Sequence, residues 1–141
     1  MVIDILQSIV GGITASLVWF MAGGVLYMNP FVAKIYKDAR KSPGLKKWTN
    51  VSKYLSFQFY GILAQCLLWA FVFAFIKSVL PGGIILKGIT FGLILVAVKI
   101  FPRFVDMWTQ STYPDKLLVI EFVNGTIGSF IIGVVLAYLI R

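Results

Sequence analysis

Residues 90–124 read TFGLILVAVKIFPRFVDMWTQSTYPDKLLVIEFVN, and this stretch decides the fold. Two apolar runs flank a polar interval bounded by Pro102 and Pro114, and charged side chains stand beside or inside the runs. Lys99 and Arg103 fall one helical turn apart, Asp106 continues their face, and Glu121 lies five residues beyond Lys116. At 1.5 Å per residue Glu121 is roughly 7–8 Å into its helix. Ionisable groups at membrane depth are costly and are the default place to look for function. Antiparallel neighbours would bring Glu121 level with Lys99 and Arg103. A partly buried ion pair with one of these cations is therefore predicted, with Asn124, Gln58 and Gln65 adding amide hydrogen bonds.

Working outward, 60% of the 141 residues are hydrophobic, only 13% are charged, and mean hydropathy is +0.93. Soluble domains run about 45–50% apolar and about 25% charged. A chain this small has no interior able to hide so much apolar surface, so lipid is its solvent. The expected fold is an all-α integral membrane protein, one domain over 1–141 with four spans near 3–28, 54–80, 84–101 and 116–140. Met1–Asp4 lacks the basic start of a secretory signal and the apolar run after it is too long for one, so the first span is expected to be retained.

The charge balance is +8, which in a soluble protein would raise nucleic-acid binding. Here Lys34, Lys37, Arg40, Lys41, Lys46, Lys47 and Lys53 all lie in one inter-span segment, 29–53. That is the signature of a cytoplasmic loop and suits anionic lipid head groups, leaving nucleic acid as no expected partner. With Arg103 and Lys116 this side carries nine cations against three (Lys77, Lys87, Arg141) on the other. Both termini should face outward.

Pro30–Ser42 reads as a short surface helix with Phe31, Ile35 and Ala39 on its apolar face, or else as a solvated basic loop. Arg103–Pro114 resembles it, and Pro102 either kinks or ends the third span. Small residues recur at four-residue spacing in the first span (Ser8, Gly12, Ser16) and in the last (Gly125, Ser129, Gly133), a pattern that lets helix backbones approach closely in lipid. The halves also read as tandem repeats of helix, interfacial helix and helix. Gly12-Ile13-Thr14 recurs as Gly88-Ile89-Thr90, and Gln58 stands where Glu121 does in the second copy. Chance matches in so apolar a chain are the competing reading.

The chain has no His, and Cys66 is its single cysteine. No cofactor and no metal site is expected, although the carboxylates could meet Mg²⁺ through one or two oxygens. An enzyme would have to use Glu121, Asp106, Asp115 and Tyr113, and no spacing here pairs them for acid–base work. The proline-terminated aromatic first span and the Gly-rich last span after Pro114-x-Lys116 resemble small prokaryotic four-span membrane proteins. That resemblance implies a prokaryotic cytoplasmic membrane and no particular activity. Three functions stay open: a homo-oligomeric transporter or channel for a small ion or polar solute, an accessory or scaffold protein binding a membrane partner or anionic lipid, and an embedded enzyme. The charged pair itself reads either as a gate or binding site, as a lock on helix register, or as a contact with an oligomer partner.

Overall fold

A computed structural model describes residues 5–141, of which the expected start of the first span at Ile3 is no part. The chain is 82% helical, with no strand among the described residues. It forms α1 (Ile5–Met28), α2 (Pro30–Ala39), α3 (Val51–Ile76), α4 (Ile84–Leu95), a π-helical turn (Val96–Ile100), α5 (Phe101–Gln110) and α6 (Asp115–Leu139). Four helical stretches are long and apolar enough to cross a membrane, and their apolar windows bury only 22–33% of their residues within the protein. Val25, Met28 and Val79 are 74–80% exposed. That surface needs lipid around it, which makes this a small integral membrane protein.

The third span departs from expectation. It does not stop near Phe101 but runs without interruption from Ile84 to Gln110. Pro102 has no N–H for the Val98 carbonyl, and its ring crowds that carbonyl. The chain accommodates this by widening the turn just before it: Phe101 N–H bonds to the carbonyl of Val96, five residues back. Such a turn holds one residue more than an α-helical turn.

Small side chains set how the spans pack. α1 buries Ser8, Gly11, Gly12, Ala15 and Ser16, one stripe along one face. A Cβ on Gly12 would come within 2.9 Å of the Leu67 backbone on α3, and one on Gly88 within 2.7 Å of the Val134 backbone on α6. The Ser16 and Ser129 hydroxyls donate to carbonyls of their own helices at 2.7 and 2.8 Å, so they fill little space and leave no unpaired donor in lipid. α1 thus packs on α3 and α6, and α6 packs on α4.

The two Gly-Ile-Thr triplets occupy like places, each at the crossing of one half's two spans. The likeness ends there. α3 and α4 hardly approach at the backbone and meet through Phe73 against Phe91, ring centroids 5.1 Å apart, whereas α1 and α6 pack closely. α2 is a separate helix capped by Asn29, whose side chain accepts from Val32 N–H at 3.0 Å, while α5 continues the third span. The residues of α2 differ in how far the bundle covers them. Val32 is buried and Tyr36 half-buried, while Phe31 is 73% exposed.

In α1 and α3 the buried residues are confined to one half of the bundle. The buried residues of α1 end at Ser16, those of α3 begin at Cys66, and α5 has none. This tight half lies where the termini meet, with Ile140 against Gly11. At the other end, which carries the lysine-rich segment and is called the basic end below, none of the fifteen residues Val51–Gln65 is buried.

Packing at the glycines is testable by thermal unfolding in detergent. The Cβ position of Gly133 collides with the Gly88 carbonyl, so Gly133→Ala should lower stability by about 1–3 kcal/mol. Gly23 has no atom within 4 Å of its Cβ position, so Gly23→Ala should instead be neutral or gain up to about 1 kcal/mol.

Candidate functional site

Glu121, in the second turn of α6, is the centre of the basic end. Its Oε2 accepts from Arg103 at 3.0 Å. Its Oε1 accepts from the Tyr36 hydroxyl at 3.3 Å and from the Tyr113 hydroxyl. The three donors come from α5, α2 and the loop before α6, so one carboxylate joins three elements to a fourth. Phe104 edge-on to Phe122 (5.1 Å) and Ile100 seated against Gly125 hold α5 and the π turn to α6 at this level.

The loops supply the remaining geometry. Gly44, in the segment between α2 and α3, lies so close to the Thr112–Tyr113 backbone that a Cβ there would fall 2.5 Å from the Thr112 carbonyl oxygen. This crossing of loops sets Tyr113 over Glu121. Tyr27, at the end of α1, meets Tyr36 edge-on at 6.1 Å and brings a third phenol to the cluster.

Of the residues expected to form the polar network, the structure joins Arg103 and Glu121 and separates the rest. Asn124 is on the Glu121 face of α6, 6% exposed; its Nδ2 lies beside the Tyr27 hydroxyl without completing a hydrogen bond to it. Gln58 is exposed and donates to the Tyr54 hydroxyl at 2.9 Å, so it is no counterpart of Glu121. Gln65 and Asp106 are exposed and outside the cluster. Lys99 does not pair with Glu121. Its ammonium points toward α3, near the Cys66 thiol, and it makes no ion pair or hydrogen bond among the described residues.

Tyr36 is a contact of Glu121 that the sequence did not single out, and Tyr113 was named there only as a group an enzyme would have to use, not as a donor to Glu121. Only their nearness to prolines hinted at it, because their partner is 85 residues away for Tyr36 and eight for Tyr113. Burial, followed by the Glu121 carboxylate, raises the pKa of both hydroxyls well above the ordinary tyrosine value. They are therefore neutral donors at every physiological pH.

Lys34, Lys37, Arg40, Lys41, Lys46 and Lys47 are all exposed at the basic end. Lys46 lies over the Trp48 ring at 4.6 Å, and Trp48 packs on Tyr54 and Phe57. Lys34, Asp38 and Lys116 rim an open groove of about 620 Å³ between α2 and α6, floored by Phe31, Ile35, Val119 and Ile120. The residues expected to pack helices (Gly12, Ser16, Gly125, Ser129 and Gly133) all lie at helix crossings within the chain. No group of three or more His, Cys, Asp or Glu among the described residues could hold a metal ion.

No protein-family model, curated protein or solved structure matches the chain. The reading of the site accordingly rests on its own chemistry. Three donor groups (the Arg103 guanidinium and the Tyr36 and Tyr113 phenols) converge on one acid. Arg103 is 61% exposed and Glu121 21%, so the pair opens to the basic end and is worth only about 0–1 kcal/mol as an ion pair. The larger cost is of stranding Glu121 without donors, about 3–5 kcal/mol for a buried partner and less here.

Two outcomes are expected. The raised phenols bind their protons more tightly in the folded state. The stability they contribute is complete below the unfolded tyrosine value of about 10 and is lost as pH rises from there toward the folded value. Unfolding followed between pH 8 and 12 should show that decline in the wild type and a shallower one in Tyr36→Phe and Tyr113→Phe. Lys99→Met removes an uncompensated charge from membrane depth and should raise the unfolding temperature, by the equivalent of about 1–3 kcal/mol.

Proposed function

We propose that the chain is a transport protein of carrier or channel type for a small ion or polar solute. It acts as a homo-oligomer, with the basic end in the cytoplasm of a prokaryotic cell and both termini outside. One observation carries this reading. Glu121 lies within a membrane helix, yet it is held by three donors on three separate elements, and its cation is largely exposed. A proton or cation arriving at Glu121, or an anion arriving at Arg103, would exchange one partner of the pair and free α2, α5 or the 111–114 loop to move. The unused Asn124 amide, one turn deeper beside Tyr27, offers the next polar contact along α6. The scarcity of buried residues on α3 and α5 in the basic half is the other support, since a solute needs room among the helices.

The outward faces of the four spans are apolar, and a single four-helix unit makes a thin wall around a pathway. Assembly of several copies would thicken it. The basic segment and the groove between Lys34 and Lys116 suit anionic lipid head groups, which would hold α2 at the interface. A second reading has support in the same contacts. A carboxylate that ties α2, α5 and the 111–114 loop to α6 would also serve as a lock on an accessory or scaffold protein.

Flux in proteoliposomes separates the two readings. Pyranine for protons and labelled potassium, chloride and phosphate cover the simplest solutes. Glu121→Gln keeps size and two hydrogen-bonding atoms and removes the charge. The transport reading expects flux to fall by at least about tenfold while the unfolding temperature stays within a few degrees. Unchanged flux in a folded variant, or loss of folding alone, would leave the lock as the function of the pair.

A further inference from the structure

Lys99 is the charged group that the site around Glu121 does not use. It is mostly buried, it stands in the π turn, and no acid among the described residues pairs with it. Its surroundings are α3 on one side, with the Cys66 thiol nearby, and Leu95 one turn away, fully buried at the edge of the close-packed core. The nearest other charge is Arg103, whose guanidinium is already committed to Glu121.

Lys99 is also reachable. α3 and the third span do not pack backbone to backbone, and Phe73 against Phe91 closes the gap between them only in the tight half. Toward the basic end, Val51–Gln65 on one side and all of α5 on the other have no buried residue. The backbones of α3 and the third span therefore stay apart on the side that Lys99 faces, and the exposed cations of segment 29–53, at the same end of the bundle, raise the local concentration of anions.

We infer that Lys99 is the binding group for a small oxyanion, a carboxylate or phosphate, that enters between α3 and the third span from the basic end. An ammonium at membrane depth without a counter-ion is costly, and a single bound anion supplies the missing charge. The inference rests on the transport reading only for the fate of the anion; the binding stands by itself. A phosphate on an anionic lipid offers the same chemistry through the open side of the bundle, so the source of the oxyanion is part of the test.

The test is thermal unfolding of the full chain in phosphatidylcholine nanodiscs. Sodium acetate and sodium phosphate are titrated at constant ionic strength against the salt of a bulky sulfonate, and a parallel series replaces part of the lipid by phosphatidylglycerol. Acetate or phosphate should raise the unfolding temperature by several degrees at saturation in the wild type and in Lys99→Arg. The rise should be absent in Lys99→Gln and in Lys99→Met, two neutral replacements of different polarity that guard against one failing to fold. It should persist in Glu121→Gln, whose flux reports on the transport reading, so either idea can fail alone. A rise seen only with phosphatidylglycerol and lost with Lys99 keeps the site and makes its source a lipid. A rise of equal size with and without the lysine charge, or none with any of the three probes, overturns the inference.

Discussion

A carboxylate inside a membrane helix must have donors, and most of the basic end is arranged by that requirement at Glu121. In water the same side chain would need nothing from the protein. Within α6, where water is scarce, a missing donor costs far more than an ordinary hydrogen bond returns. Tyr36, Tyr113 and Arg103 answer it from three directions. Meeting that requirement folds α2 back along α6, lays the 111–114 loop under the first loop at Gly44, and fixes the rotation of α5. Without the acid these elements would keep only their ring and loop contacts, because α2 buries only Val32 and α5 buries nothing.

The other half of the bundle is governed by a different force. There the helices meet at glycine, alanine and serine, and the gain comes from backbone dispersion contacts instead of release of water. That packing is dense and rigid. It needs no polar group, and the seryl hydroxyls that occur in it are turned onto their own helices. A molecule with one end locked by shape and the other held by a few directed bonds has an obvious division of labour. The locked end can stay fixed while the bonded end rearranges, and the ion pair between side chains lies in the bonded end.

How much of this was legible in the sequence depends on range. The spans were readable because hydropathy is a sum over about twenty neighbours and tolerates errors in any one. Pairing of Glu121 with a cation on the third span was readable because two antiparallel helices of known rise must put those residues at similar depth. The donors Tyr36 and Tyr113 were not, since nothing local to a tyrosine says that its hydroxyl will meet an acid brought in by a loop crossing. Gln58 was misplaced by the repeat. An amide in the second span has a position like that of Glu121 along the chain, but α3 stands away from the third span and has no neighbour there to bury it. The amphipathic pattern put Phe31 and Ile35 on one apolar face of α2, and both line the same groove against α6.

The fate of Lys99 joins these strands. Four residues separate it from Arg103, and on a regular α-helix the two would share a face and both look toward α6. Pro102 prevents that. Its missing N–H and its ring force an i→i+5 closure at Phe101, and the wider turn offsets residues before it from those after it by a large part of one residue's rotation, roughly 100° in an α-helix. Arg103 therefore meets Glu121, and Lys99 turns toward α3 and the open side. A proline that looked like the end of a helix is instead what divides two cations between two tasks. One is neutralised within the fold, and the other is left with a charge that the protein itself does not balance.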